Sequence, residues 1–289
     1  MKKILILSVC LFVCWALPAQ QQRMKVACVG NSITYGTGLA DRATQSYPVQ
    51  LQKLLGEHYE VENFGKPGAT LLNQGHRPYT RQEEYRKALD FAGDIVVIHL
   101  GINDTDPRDW PNYRDSFVTD YLNLMDTFRK VNPDVRIIIA RMTPIADRHN
   151  RFLSGTRDWH GEIQTAIETV ARYAGVQLID FHEPLYPYPS LLPDAVHPTA
   201  EGAAIMAQTV YSAITGDYGG LQLSPLYTDN MVLQRDTPLL IHGTANVGEQ
   251  VTVRIDRQQW ITKAALDGKW SVKLSPLKAG GPYTLTIST

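Results

Sequence analysis

Residues 25–214 alternate short, continuous apolar runs with longer segments of helical period, and this alternation constrains the fold more than any other feature. Apolar runs at 26–29, 61–64, 95–100, 135–140 and 176–180 predict strands that are covered on both faces, as in a parallel sheet. Helices are predicted between and after them, at 47–57, 81–91, 113–131, 156–174 and 198–214. Because such strand–helix units cross over with right-handed connections, the sequence predicts a three-layer α/β/α sandwich around a parallel sheet.

The character of the sequence changes after a glycine-containing loop at 215–220. Beyond it the helical period is lost, and strands are predicted at 239–242, 251–255, 260–265, 270–274 and 283–287. Several of these alternate strictly between apolar and polar residues, which indicates strands with one buried face. Asp267-Gly268 predicts a hairpin turn between two of them. We therefore predict an α/β domain at 25–215 and a small, all-β, sandwich-like module at 221–289.

The first residues of the chain have the pattern of a secretory signal peptide. Two lysines precede an apolar run at 4–17, which closes on Pro-Ala-Gln. The run is shorter than the roughly 20 residues that a membrane-spanning helix needs. We expect residues 1–19 to be removed after Ala19 and the protein to be exported to the periplasm or the extracellular space. The residues around Cys14 fit a lipoprotein signal poorly, so no lipid anchor is expected.

Charge and cysteine content limit the possible partners and the covalent chemistry. Without residues 1–19, the chain keeps 26 basic and 29 acidic side chains, a formal charge of −3. This balance argues against a nucleic-acid partner, which would favour a basic surface. Cys28 is then the sole cysteine, and it lies inside an apolar run. We therefore expect no internal disulfide and a Cys28 that packs as a small buried residue.

Polar residues with catalytic potential follow several of the predicted strands. Ser32 comes directly after the first strand, Gly68 shortly after the second and Asn103 after the third. Asp194 and His197 lie in the loop before the last helix. Because ligands bind at the carboxyl ends of the strands in an open α/β sheet, these five residues are expected to meet at one edge.

This set of groups supplies what acyl transfer requires. A serine hydroxyl becomes a good nucleophile only when a neighbouring base takes its proton. His197 can be that base for Ser32, with Asp194 orienting the other ring nitrogen. The developing oxyanion needs preorganised donors, and the candidates are the backbone N–H groups of Ser32 and Gly68 and the side-chain amide of Asn103. A side chain at position 68 would obstruct the approach of substrate to the backbone.

The same residues resemble the four sequence blocks of the SGNH (GDSL-type) hydrolases. The blocks are Gly-Asn-Ser-Ile-Thr at 30–34, Gly68, Gly-Ile-Asn-Asp at 101–104 and Asp-Ala-Val-His at 194–197, and the resemblance covers about residues 25–214. Asn31 stands where many members have aspartate, which leaves the nucleophile unchanged. The resemblance implies a flavodoxin-like sheet, no metal and no cofactor. It also implies a catalytic triad of Ser32, Asp194 and His197, with Ser32, Gly68 and Asn103 lining the oxyanion hole.

The second region resembles the opening β-module of bacterial sialate O-acetylesterases. The resemblance rests on Tyr-Thr-Asp-Asn-Met-Val-Leu-Gln-Arg at 227–235, Gly-Thr-Ala at 243–245, Asp-Gly-Lys-Trp at 267–270 and Gly-Gly-Pro-Tyr-Thr-Leu at 280–285. Such proteins continue with a further catalytic region, so we expect 221–289 to be an incomplete part of one. With no second Gly-Asn-Ser-like block in this region, catalysis is expected from the first domain alone.

Together these features predict a secreted esterase that removes O-acetyl groups from a carbohydrate, with acetylated sialic acid as the favoured substrate. Acetyl esters of xylan or other polysaccharides are the nearest alternative, followed by the acyl groups of lysophospholipids or thioesters. A carbohydrate-binding protein on an inactive hydrolase scaffold is the non-enzymatic alternative, although the sequence shows no broken catalytic residue. The expected partner is a small or glycan ester, and the sequence does not indicate an oligomeric state.

Structural roles compete with function at several polar positions. Ser32 alone could be a helix N-cap, and Asp194 could cap the last helix while it orients His197. Asp104 is expected to be structural and to hold the loop that presents Asn103. His99 lies within a strand and is expected to be a satisfied core histidine.

Other side chains could meet substrate or metal. The aromatic residues of the Pro-rich loops could stack on sugar rings or cover the core: Trp110, Tyr186 and Tyr188. Arg77 and Arg81 could bind a substrate carboxylate, but a solvated surface is the more common role of exposed arginines. The spacing of His160, His182 and Glu183 fits no zinc signature.

Overall fold

A computed structural model describes residues 23–148 and 156–289 of the chain. The predicted signal peptide at 1–19 lies outside the described residues. In the described ranges no helix combines the length and the apolar character needed to cross a membrane.

Five parallel strands form the central sheet, in the order β2-β1-β3-β4-β5. They are β1 Met24–Gly30, β2 Tyr59–Gly65, β3 Ile95–His99, β4 Arg136–Arg141 and β5 Gln177–Asp180. This is the strand order of flavodoxin-like folds, and the predicted three-layer α/β/α sandwich is confirmed. Every residue of β3 is buried, which explains why the strands read as continuous apolar runs rather than as alternating ones.

Helices cover both faces of this sheet. They are α1 Ser32–Tyr35, α2 Arg42–Gln45, α3 Tyr47–Leu55, α4 Glu83–Phe91, α5 Trp110–Tyr113, α6 Phe117–Val131, α7 Thr156–Ala174 and α8 Ala200–Thr215. Short 3-10 turns occur at Tyr79–Arg81, Ile102–Thr105, Arg114–Ser116 and Pro189–Leu191. Helices α3 and α8 pack together, and so do α6 and α7, as expected when right-handed crossovers distribute the helices between the two faces.

Several helix boundaries differ by a few residues from the sequence prediction, and two of the differences concern the course of the chain. The last helix begins at Ala200 rather than Pro198, because the Thr199 hydroxyl caps it by accepting the N–H of Gly202 at 3.2 Å. The segment predicted as one helix from 113 is divided into α5, a 3-10 turn and α6.

Residues 222–288 contribute two antiparallel three-stranded sheets with a separate apolar core between them. The sheets have the orders β10-β7-β6 and β11-β8-β9. Their strands are β6 Gln222–Leu223, β7 Leu239–Thr244, β8 Gln250–Ile255, β9 Gln258–Lys263, β10 Lys269–Leu274 and β11 Leu285–Ser288. The predicted all-β, sandwich-like character is confirmed.

The hairpin predicted at Asp267-Gly268 is wrong. A tight turn does form there, with Gly268 at φ +72° and its N–H donating to the carbonyl of Ala265 at 2.9 Å. The strands on either side nevertheless belong to different sheets, since β9 pairs with β8 and β10 pairs with β7. The turn carries the chain across the sandwich because Trp260 of β9 and the alternating buried residues of β10 contact the shared core from different sheets.

The β-module contacts the α/β domain at the amino-terminal edge of the parallel sheet. Gln177, the first residue of β5, donates to the carbonyl of Leu266 at 3.3 Å. The N–H of Val247 donates at 3.0 Å to the carbonyl of Gly216, which caps the carboxyl end of α8. Ser32 follows the carboxyl end of β1, so the module lies at the edge opposite the candidate site.

Candidate active site

The turn that presents Ser32 is built by Asn31. Only this residue separates β1 from α1, and its Oδ1 accepts the N–H of Ile33 at 2.9 Å as the helix N-cap. Its Nδ2 donates to the carbonyl of His99 at 3.3 Å, which ties the turn to the neighbouring strand β3. An aspartate here could make only the first of these bonds, so the departure from the common family residue has a structural use.

Helix α1 lies directly over the end of β2, which requires glycine at position 65. A Cβ on Gly65 would lie 2.2 Å from the backbone nitrogen of Tyr35. The close approach lets α1 start at once after the strand and leaves Ser32 at its first position, with 8% of the residue exposed.

The structure brings Ser32, His197 and Asp194 into one hydrogen-bonded series. The distance from His197 Nε2 to Ser32 Oγ is 2.8 Å, and that from His197 Nδ1 to Asp194 Oδ2 is 2.6 Å. When Nδ1 carries the proton and donates it to the carboxylate, Nε2 is free to accept the serine proton. This is the geometry that a nucleophile and its general base require.

Asp194 is held in the ionised form by its own loop. Burial raises the pKa of this carboxyl, but the N–H groups of His197 and Val196 and the His197 ring outweigh burial, and the pKa is lowered. Oδ1 accepts those two backbone donors at 2.7 and 3.0 Å. Asp194 does not have the alternative role of capping the last helix, because Thr199 is the cap.

The loop between Asp194 and His197 adopts an unusual backbone conformation and is anchored from outside. Ala195 has φ +73°, a left-handed conformation that costs a non-glycine residue about 1–2 kcal/mol. The N–H of Ala146 donates to the Ala195 carbonyl at 2.8 Å, and Arg148 donates to the carbonyls of Pro189 and Leu192. These contacts maintain the strained loop and the position of the imidazole.

The three predicted oxyanion donors lie in loops that hydrogen bonds join together. Lys66 N–H donates to the Gly30 carbonyl at 2.9 Å, and Asn103 Nδ2 donates to the Ala69 carbonyl at 2.9 Å. Asn103 therefore keeps one N–H for a ligand. Within the described residues, the backbone N–H groups of Ser32 and Gly68 have no hydrogen-bond acceptor, so they too are available to a ligand.

Asp104 joins the Asn103 turn to the segment that follows Gly68. Its carboxylate is completely buried and accepts the backbone N–H groups of Leu71 and Leu72 at 2.9 and 2.8 Å. Burial raises the pKa of Asp104 to about 7, against the opposing effect of these two donors. The predicted structural role therefore extends to both loops.

The structure contains a second histidine–carboxylate pair, His76 and Asp109, that was not predicted from the sequence. Asp109 accepts both the backbone N–H and the ring Nδ1 of His76, at 2.8 and 2.6 Å, the same two contacts that Asp194 makes with His197. Nearby, Asp120 accepts two N–H groups of Asn73 at 2.9 Å each. The partners are far apart in sequence, so no local motif could have indicated these contacts.

One group of described residues has ligand atoms close enough to hold a metal ion: His76, Asp106 and Asp109 lie within 4.8 Å of one another. Arg108 binds both oxygens of Asp106 at 2.9 Å and holds the pKa of that carboxyl well below its usual range. Asp109 is engaged by His76. These contacts account for the three side chains without an ion, and we assign no metal to them.

The remaining candidates divide between core and surface. His99 is completely buried, which lowers its pKa to about 3, and its Nε2 accepts the N–H of Thr143 at 3.4 Å. Cys28 is buried as predicted, and burial raises the pKa of its thiol to about 12. Trp110 belongs to the core, where its Nε1 donates to Glu162 at 2.7 Å.

Tyr186 and Tyr188 are exposed and remain available to a ligand.

A flavodoxin-like α/β/α sandwich with a hydrogen-bonded Ser–His–Asp series at the carboxyl edge of its sheet has the architecture of a serine hydrolase. Residues 28–205 match the model of the GDSL-like lipase/acylhydrolase family. The chain belongs to this family, which confirms the resemblance drawn from the sequence blocks. The match does not extend to 221–289, and the resemblance of that module to sialate O-acetylesterases stays a prediction.

Individual relatives agree with this assignment. An acetylxylan esterase from Xylanibacter ruminicola is 34% identical in an alignment of 221 residues, and the match covers 69% of this chain and 45% of that protein. The chain thus spans about half the length of this relative. Among solved structures, the acetyl xylan esterase AlAXEase shares the fold with a TM-score of 0.52 and 21% identity, over 66% of this chain and all of that one. A carbohydrate acetylesterase family member from Sinorhizobium meliloti gives 0.52 and 20%, over 66% and 97%.

Proposed function

We propose that the protein is an exported serine esterase that removes O-acetyl groups from a carbohydrate, with acetylated xylan as the best-supported substrate. The observation that carries the proposal is the hydrogen-bonded series from Ser32 through His197 to Asp194. Beside it, the backbone N–H groups of Ser32 and Gly68 have no acceptor among the described residues. Export is supported by the leader-like residues 1–19.

The site residues act together in the proposed reaction. Ser32 Oγ attacks the acetyl carbonyl carbon while His197 Nε2 takes its proton. The oxyanion is bound by the N–H groups of Ser32 and Gly68 and by Asn103 Nδ2. Collapse of this intermediate breaks the ester bond, and the sugar oxygen leaves with the proton held by His197. Water then attacks the acetyl-enzyme with His197 as base, and acetate is released.

The substrate class is inferred from the relative rather than from the catalytic geometry. The curated relative is named an acetylxylan esterase and is 34% identical, which favours a polysaccharide acetyl ester. Acetylated sialic acid is the second candidate, and it rests on the segments of the β-module at 227–235 and 280–285. The module lies at the sheet edge opposite Ser32, so we place the substrate against the loops of the α/β domain.

The test compares wild type with Ser32→Ala on p-nitrophenyl acetate, acetylated xylo-oligosaccharides and 9-O-acetylated sialic acid. Ser224→Ala, in the β-module, is the matched control. We expect Ser32→Ala to lose at least about 1000-fold in kcat on every substrate that wild type hydrolyses, and Ser224→Ala to retain wild-type activity. A fluorophosphonate should label wild type on the peptide that contains Ser32. Equal activity of Ser32→Ala and wild type would overturn the nucleophile, and hydrolysis of the sialate ester alone would overturn the xylan assignment.

A further inference from the structure

Arg77 places its guanidinium group beside Gly68, whose backbone N–H is one of the proposed oxyanion donors. Its Nη1 donates to the carbonyl of Pro67 at 3.0 Å. A Cβ built on Gly68 would lie 3.3 Å from Nη1 and 3.5 Å from Cδ of this arginine. Since oxyanion donors lie about 3 Å from the oxygen they bind, the guanidinium is close to any ester that uses the Gly68 N–H.

The backbone that carries Arg77 is fixed on both sides. The carbonyl of Arg77 accepts the N–H of Thr70 at 2.8 Å, and the next residue, Pro78, is buried. The preceding residue, His76, is bound twice by Asp109. The Arg77 side chain is exposed, but its backbone and its Nη1 are held in place. A ligand that binds the remaining N–H groups would therefore cost little conformational entropy.

The charges around Arg77 leave it without a counterion. Three other basic side chains of these loops contact carboxylates: Lys66 contacts Glu84 at 3.0 Å, His76 contacts Asp109 at 2.6 Å and Arg108 contacts Asp106 at 2.9 Å. Arg81, which was also a candidate in the sequence, is exposed and has no ion pair among the described residues, but it lies in the 3-10 turn beyond Pro78 rather than beside Gly68. Arg77 makes no ion pair with any carboxylate of the residues that the structure describes.

We propose that Arg77 binds a carboxylate of the acetylated saccharide, so that the protein prefers acidic sugar esters to neutral ones. Among the described residues, only the Pro67 carbonyl accepts a hydrogen bond from this planar guanidinium, so two of its other N–H groups can bind a carboxylate. The carboxylate can come from a uronic acid next to the acetylated sugar or from a sialic acid. This inference rests on the proposed esterase function and adds the charge of its substrate.

A kinetic comparison tests this selectivity. Wild type, Arg77→Gln, Arg77→Lys and the control Arg86→Gln, an exposed arginine on α4, are assayed on three substrates. These are a neutral acetylated xylobiose, an acetylated uronic acid glycoside and 9-O-acetylated sialic acid.

For Arg77→Gln, we expect the ratio of kcat/KM on the acidic ester to that on the neutral ester to fall about 10- to 100-fold, mainly through KM. Arg77→Lys keeps the charge without the planar fork, so its ratio should be intermediate. Arg86→Gln should keep the wild-type ratio. The acidic substrate whose ratio falls identifies the source of the carboxylate. If the ratio of kcat/KM values is unchanged for both acidic substrates, the proposal is overturned. The same holds if Arg77→Gln lowers kcat/KM equally on all three esters, because Arg77 would then only hold the Pro67 carbonyl.

Binding to an inactive background separates this inference from the esterase function. Calorimetry on Ser32→Ala measures the Kd of the deacetylated uronic acid glycoside and of sialic acid, and is repeated on Ser32→Ala/Arg77→Gln. We expect at least about tenfold weaker binding of the acidic product in the double variant. Equal Kd values in the two backgrounds would overturn the carboxylate site even if the wild type is a proven esterase. Arg77-dependent binding in a protein without esterase activity would instead overturn the proposed function alone.

Discussion

Replacing Asp194 by asparagine tests the catalytic geometry with almost no change in shape. Oδ1 of Asp194 accepts two backbone N–H groups, at 2.7 and 3.0 Å, so an asparagine must place its carbonyl oxygen there. Its NH₂ group then faces His197 Nδ1 in place of Oδ2, which lies 2.6 Å from that nitrogen. An N–H donor at this position forces Nδ1 to accept and moves the ring proton to Nε2.

The consequence falls on the serine. Nε2, 2.8 Å from Ser32 Oγ, would then donate to the hydroxyl and could no longer take its proton. A wrong tautomer of this kind costs about 10⁴-fold in kcat, equivalent to about 5.4 kcal/mol in the barrier. Both backbone hydrogen bonds survive, so the free energy of unfolding should change by no more than about 1 kcal/mol.

The assay is steady-state hydrolysis of p-nitrophenyl acetate, with urea denaturation to confirm the fold. Glu183→Gln is the matched control, because Glu183 also contacts a histidine Nδ1, that of His182 at 3.2 Å, but away from Ser32. This control should retain wild-type kcat. An Asp194→Asn protein that is folded and keeps more than a tenth of wild-type kcat would refute the role of the tautomer.

Two further predictions concern the donors and the buried histidines. Asn103→Ala should lower kcat about 100- to 1000-fold. The control Asn112→Ala removes an exposed amide that is bonded to the carbonyls of Pro107 and Arg108, and it should keep the wild-type kcat. Similar kcat values for the two variants would contradict the oxyanion role. Burial lowers the pKa of His160 from 6.5 to about 4. Below pH 6.5 this histidine therefore takes up a proton in the unfolded chain but not in the folded protein. The free energy of unfolding consequently decreases as the pH falls toward 4. Relative to His160→Gln, which can still donate to the Thr143 carbonyl, wild type should lose roughly 2 kcal/mol of unfolding free energy between pH 7 and pH 5; a constant difference would contradict the buried, neutral imidazole.

Much of the α/β domain was predictable because its signals are local. Strands covered on both faces must be continuously apolar, as the fully buried β3 is. The rule that ligands bind at the carboxyl ends of parallel strands then groups Ser32, Gly68 and Asn103 before any distance is known. The sequence spacing from Asp194 to His197 lets a single turn place the carboxylate against the ring, as the contact at 2.6 Å shows.

Local signals failed where a contact depends on segments that are distant in sequence. The Asp267-Gly268 turn has the residues of a hairpin, yet the packing of two sheets on one core decides that its strands separate. No spacing pairs His76 with Asp109, since only the packing of two loops brings them together. Trp110 was equally compatible with a sugar-binding surface, and its burial beside Glu162 follows from the position of α7.

The sequence by itself determined the class of fold and the residues that could perform acyl transfer, because hydrophobic period and residue type are properties of short segments. Only the tertiary structure decided how those residues are used. It placed Asp194 against the ring and the backbone of its own loop and moved the helix cap to Thr199. It also laid the Arg77 guanidinium beside Gly68 with no carboxylate to pair it among the described residues. Such contacts join loops that are far apart in the chain, and they exist only after the sheet has brought the ends of its strands to one edge.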